Sequence, residues 1–115
     1  MTVFVYEKCD TCRKALKYLQ ERGASYVKRP IREVPPSVAE LKRMLAYVGM
    51  RRLFNTSGGD YKAMNMKDRL PSLSEAESLA LLAANGNLVK RPFALTDTGG
   101  ATGFVQAEWD ALLTQ

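Results

Sequence analysis

Two cysteines, Cys9 and Cys12, stand two residues apart at the point where a strand pattern gives way to a helix pattern. Upstream, Val3–Tyr6 is a short apolar run that predicts a buried strand, and the polar pair Glu7 and Lys8 stops it. Downstream, Cys12, Ala15, Leu16 and Leu19 recur at i, i+3, i+4 and i+7, one face of a helix. The pair therefore falls in a turn that opens a helix. A helix N-terminus presents unpaired N–H groups and the positive end of the macrodipole, and both favour a thiolate. Lys8, Thr11 and Arg13 flank the sulfurs, and the two cations add positive charge. Thiolates are the nucleophilic form of cysteine, and surroundings of this kind promote them. Cys9, at or just before the first turn, is expected to benefit most. Cys12 lies one turn in on the apolar face and suits a resolving or a structural role.

Two other readings of the pair are open. Free cysteine packs as a small hydrophobe, so both residues fit an inert core. Half of a zinc site is the other reading, but zinc takes four ligands and the chain has two cysteines and no histidine. No metal is expected.

A chain of 115 residues predicts one domain, residues 1–115, able to hold a core without disulfide staples. Hydrophobic residues make up 46% and charged residues 25%, the balance of a soluble globular protein. No apolar run reaches membrane-spanning length and no signal peptide is visible, so a cytoplasmic protein without membrane contact is expected. There, a cysteine pair is more often catalytic or redox-sensing than structural. The charge is uneven. All seventeen Lys and Arg lie at or before Arg91, with nine of the twelve acids, and the remaining stretch is acidic. A basic surface fits an anionic ligand or an acidic partner. No nucleic-acid-binding signature is present, so direct nucleic-acid contact is not expected.

Along the chain, Arg22-Gly23 stops the first helix and Ser25–Arg29 is a candidate strand ended by Pro30. Strand, helix and strand within about thirty residues form a βαβ unit with parallel strands. Three helical segments follow over about residues 37–84. The first opens on the capping box Ser37 to Glu40, carries an apolar stripe of Val38, Leu41, Leu45 and Val48, and ends at Gly49. A polar loop, Asn55–Gly59, precedes a short helix over Asp60–Met66 with Tyr61, Met64 and Met66 inward. The third opens on a second capping box, Ser74 to Glu77, with Ala76, Leu79, Ala80 and Ala83 as its inner face, widened by Leu81 and Leu82, and closes at Asn85-Gly86. These segments have no linkers and few large apolar residues, so they read as an insertion. Phe93–Leu95 and Ala101–Val105 then pair as a hairpin across an Asp- and Gly-rich turn, and Ala107–Leu113 is a final helix facing inward through Trp109, Leu112 and Leu113.

The order β-α-β, helical insertion, β-β-α, with a CxxC after the first strand, is the layout of an α/β thioredoxin-like (glutaredoxin-like) domain with a mixed four-stranded sheet. That layout places a proline, typically cis, before the third strand and beside the active cysteine. Pro92 occupies the position.

Three pieces of the chain, the second in two stretches, resemble the arsenate reductase/Spx family, through essentially the whole chain. Cys9-Asp10-Thr11-Cys12-Arg13-Lys14-Ala15 resembles its active-site segment. Leu53-Phe54-Asn55-Thr56-Ser57-Gly58 and Lys67-Asp68-Arg69-Leu70-Pro71 resemble the insertion of its less characterised branch. Leu88-Val89-Lys90-Arg91-Pro92 resembles the arginine-proline segment before the third strand. The resemblance implies a thiol oxidoreductase in which Cys9 is the nucleophile, Cys12 resolves, and Arg91 holds an anion through its planar fork of donors. It implies no bound cofactor, glutathione as a co-substrate, and glutaredoxin or thioredoxin as reductant, with the protein a monomer. Asn55, Thr56 and Ser57 are candidates for polar contacts. The glutaredoxin-linked reductases carry two further arginines, one where this chain reads Asn55–Gly59 and one where it reads Thr102-Gly103-Phe104. Weak or absent arsenate reduction is therefore expected, unless Arg51, Arg52 or Lys62 substitutes. The alternative implied by the Spx branch is a redox-sensing regulator that binds RNA polymerase through the C-terminal domain of its α-subunit.

Overall fold

A computed structural model of the chain describes residues 1–114. The strands are β1 (Thr2–Val5), β2 (Val27–Pro30), β3 (Phe93–Leu95) and β4 (Gly100–Thr102). They form one mixed sheet in the order β2-β1-β3-β4. β1 runs parallel to β2, with Val5 opposite Pro30, and antiparallel to β3, with Phe4 opposite Phe93. The β3–β4 hairpin sets Ala94 against Ala101. The helices are α1 (Asp10–Glu21), α2 (Val38–Val48), α3 (Gly59–Ala63), α4 (Met66–Arg69), α5 (Glu75–Ala84) and α6 (Gln106–Leu113). This is the thioredoxin-like arrangement expected from the element order.

Alternation along the strands divides the core into two layers. Val3, Val5, Ala94 and Ala101 face α1 and α6, where Cys12, Ala15, Tyr18, Leu19, Trp109 and Leu112 are buried. Phe4, Phe93 and Leu95 face the insertion, packing with Leu41, Met44, Leu53, Phe54, Met66, Leu79 and Leu82. The small pair Ala94 and Ala101 leaves room for Trp109, whose Nε1–H donates to the Gly103 carbonyl at 3.0 Å. Phe104 and Tyr18 meet its ring edge-on.

Several element boundaries and faces differ from the sequence reading. β4 ends at Thr102, short of Val105, because Gly103 turns the chain with φ +70. The single helix expected over Asp60–Met66 is two, α3 and α4, separated at Asn65 in the left-handed conformation, φ 54. Met66 is buried as expected, while Tyr61 and Met64 are half-buried. Both capping boxes form, at Ser37 with Glu40 and at Ser74 with Glu77. In α5 Leu79 and Leu82 are buried as expected and Ser78 joins them, while Ala76 and Ala80 face solvent. Leucine removes more apolar area from water than alanine, so packing rotates the leucines inward. In α2 the same competition buries Leu41 and Met44 and leaves Val38 exposed.

Candidate functional site

Cys9 is the N-cap of α1. Its extended backbone (φ −96, ψ 117) turns Sγ back over the helix end, where it accepts from the Cys12 backbone N–H at 3.4 Å. The Cys9 N–H donates to the Tyr6 carbonyl at 3.0 Å, which ties the turn to the end of β1. Cys9 is half-buried, whereas Cys12 is 1% exposed under the helix. Burial, reinforced by the adjacent Cys9 sulfur and opposed by the Tyr6 main chain and Arg91, pushes the Cys12 thiol up to about 12. Both sulfurs are free. One sulfur is thus reachable and the other is a protonated thiol held beneath it.

Arg91 approaches from the segment before β3. Its Nη2 donates to the Gly86 carbonyl at 2.7 Å, and Nε and Nη2 both reach the Val89 carbonyl at 3.3 Å. Half-burial lowers its pKa, and the charges of Cys12 and Cys9 act in the opposite direction, so the guanidinium lies in the electrostatic field of both sulfurs. The Arg91–Pro92 peptide bond is cis, as the sequence layout led one to expect, and Pro92 is buried.

Other candidates separate. Thr11 and Thr56 line a cleft of about 640 Å³ together with Arg51, Arg52, Lys90, Arg91 and the Thr102–Val105 loop. Arg13 turns to Asp10 at 3.1 Å and to the Glu7 carbonyl at 2.9 Å. Lys8 and Ser57 are exposed. Asn55 serves the loop itself: its backbone N–H donates to the Leu88 carbonyl, and its amide to the Asn87 carbonyl at 3.5 Å. Of the three candidate substitute cations, Arg51 and Arg52 reach the cleft and Lys62 does not line it. Arg52 is held by both Glu108 oxygens, at 2.7 and 3.0 Å, and by the Thr102 carbonyl at 2.9 Å.

Sequence reasoning missed three contributors. Lys90 lines the cleft beside Arg91, its stem lying over Gly103. Tyr6 lies between two guanidiniums: Arg32 donates to its hydroxyl at 3.1 Å, and the Arg32 and Arg91 carbons stand 5.0 and 5.7 Å from its ring centre. The parallel register of Val5 with Pro30 carries Tyr6 and Arg32 to the same end of the sheet, a signal available once the βαβ pairing is drawn. Gly86, Asn85 and Asn87 form the turn that offers its carbonyl to Arg91, and Asp60 accepts from both asparagine amides, at 3.0 and 3.3 Å.

A CxxC turn whose first cysteine caps the helix after β1 of a β2-β1-β3-β4 sheet, with a cis proline just before β3, defines a thioredoxin-like protein with a helical insertion. Within that class the chain belongs to the ArsC family, whose model matches residues 4–112. It is 40% identical to Bacillus subtilis YusI over 112 residues, covering 96% of this chain and 95% of that one. The global transcriptional regulator Spx of Enterococcus faecalis is 28% identical over 110 residues, covering 94% of this chain and 82% of Spx. A crystal structure of an ArsC family related protein from Bacteroides fragilis superposes with a TM-score of 0.87 at 40% identity, covering 96% and 95% of the two chains.

Proposed function

We propose that the chain is a thiol–disulfide oxidoreductase, with Cys9 as nucleophile and Cys12 as resolving thiol. The observation that supports this most directly is the N-cap geometry: an accessible sulfur in the field of a helix end, 3.4 Å from an N–H, above a buried second thiol. The Cys9 thiolate attacks one sulfur of a substrate disulfide. A Cys9–substrate S–S bond forms, the substrate S–S bond breaks, and the second sulfur leaves as a thiolate that takes up a proton. Cys12 then loses its proton and attacks Cys9 Sγ, forming the Cys9–Cys12 disulfide and expelling the first sulfur. The substrate gains two electrons and two protons, and the cysteine pair loses them. Two glutathione molecules, or the dithiol of glutaredoxin or thioredoxin, restore the pair. Arg91 offsets negative charge on the sulfurs during both steps.

Arsenate is expected to be reduced weakly, since of the cleft's arginines only Arg51 and Arg91 make no salt bridge among the described residues. Arg52 is engaged by Glu108, and each missing charge-assisted contact costs about 1.5–3 kcal/mol, roughly ten- to a hundredfold in affinity. The test is disulfide reduction by Cys9→Ser and Cys12→Ser. Cys9→Ser is expected to abolish turnover; Cys12→Ser is expected to stop after the first step and accumulate a Cys9 mixed disulfide detectable by mass. Full activity in Cys9→Ser ends the mechanism.

The likeness to Spx supports a second reading, a redox-sensing regulator using the same pair. It predicts that the chain captures the C-terminal domain of the RNA polymerase α-subunit, and that oxidation of the pair alters this capture. Absence of capture at high concentration in both redox states excludes it.

A further inference from the structure

The helical insertion carries a mainly apolar groove of about 540 Å³ that the cysteine chemistry does not use, lined by Met50, Phe54, Tyr61, Leu70, Pro71 and Leu73, with the opposite charges Lys67 and Glu75 also in its lining. Its volume lies in the range of sites that enclose whole ligands. The groove runs into the cleft beside the cysteine turn, because Arg51, Phe54 and Thr56 line both. The two walls differ in chemistry. On the cleft side, Arg51, Lys90 and Arg91 make no salt bridge among the described residues, whereas Arg52 is matched by Glu108.

We propose that the disulfide reduced at Cys9 belongs to a protein, carried on an acidic segment whose large apolar side chain seats in this groove. The proposal rests on the thiol–disulfide reading above. A small tripeptide thiol such as glutathione supplies carboxylates for the cations but no apolar side chain for the groove. An acidic protein segment supplies both. The continuity at Phe54 and Thr56 lets neighbouring residues of one segment meet the two surfaces together. Charge complementarity selects the acidic partner: a basic segment would face three cations that make no salt bridge among the described residues.

The experiment compares three substrates with the intact chain and glutathione as reductant. The first is a peptide with a glutathione-capped cysteine flanked by Glu and Leu. The second is the same peptide with Lys and Ser in those places. The third is the neutral small molecule hydroxyethyl disulfide. The first peptide is expected to exceed the second by at least tenfold in kcat/KM, and Leu73→Glu is expected to lower the rate on the first peptide at least tenfold more than on hydroxyethyl disulfide. Equal kcat/KM for the two peptides, with hydroxyethyl disulfide still reduced, overturns the docking proposal and leaves the oxidoreductase standing. A preference for the Lys-Ser peptide, or a Leu73→Glu loss equal on all substrates, overturns it also. Failure to reduce any of the three overturns both readings.

Discussion

Cys9 and Cys12 share one helical turn but not one environment. The N-cap position leaves Cys9 half-exposed, while the 3.6-residue period carries Cys12 under the helix among Val3, Val5 and Trp109. That difference has a consequence for stability. Cys12 binds its proton more tightly in the folded chain than in the unfolded one, where its ordinary value is 9.0. Below pH 9 both states carry the proton and the contribution is fully present. Above it the unfolded state releases the proton first, so stability falls as pH rises from 9 toward about 12. Cys12→Ala removes the titration. Thermal melts from pH 8 to 11 are expected to show a shallower alkaline decline in the variant than in the parent; parallel curves would show that Cys12 has no part in it. Cys9 and Cys12 were legible in the sequence, since a CxxC at a strand–helix junction is a local pattern, whereas Arg91 was put beside them by the family resemblance and Pro92 by the fold layout. Arg32 and Lys90 were not legible, since a cation in a basic stretch gives no sign of which ones converge.

At the scale of elements, the turn at residues 85–87 decides where Arg91 points. The Gly86 carbonyl accepts from Arg91, and Asp60 fixes the asparagines on either side. Those two amides hold the Asp60 carboxyl below its ordinary range, with Arg32 and Arg91 adding to the effect. Gly86 also packs directly on the chain after β2: a Cβ there would lie 1.9 Å from the Ile31 carbonyl oxygen. Gly86→Ala is therefore expected to displace the turn, cost about 1–3 kcal/mol or more, and lower disulfide reduction along with stability. Denaturant titration and activity together check this; an unchanged midpoint would mean that the turn relaxes freely. Asn-Gly at the end of a helical run announced the turn but not its cargo. The helix ends were legible wherever a side chain caps its own backbone, as at Ser37 and Ser74. The faces of α2 and α5 were less so, because amphipathic stripes of similar strength compete and the neighbouring layer chooses between them.

The whole molecule has two apolar layers on one sheet, and the central strands β1 and β3 serve both. Phe4 lies against the insertion while Val3 and Val5, its neighbours in sequence, lie against α1 and α6. Damage on one side is expected to reach the other through that shared sheet. Leu82→Ala, in the insertion layer, is expected to cost about 2–5 kcal/mol. Trp109 fluorescence, which reports the opposite layer, should shift to the same denaturation midpoint as far-ultraviolet circular dichroism. Two separate midpoints would show that the layers unfold independently. The cleft and groove also exist only at this scale, because Thr11, Thr56, Arg91 and Gly103 come from four separate parts of the chain.

The sequence by itself determined the order of elements outside the break at Asn65, the two capping boxes and the cysteine turn. Each is set by residues within about one helical turn of one another, where backbone hydrogen bonding and side-chain period act without help. Tertiary structure alone decided that Met44 and Ser78 complete the buried faces of α2 and α5 while Val38, Ala76 and Ala80 face solvent, that Arg52 is spent on Glu108, and that Tyr6, Arg32 and Arg91 meet. Those outcomes depend on contacts between residues tens of positions apart, and their energies are realised only when the sheet and the insertion close on each other.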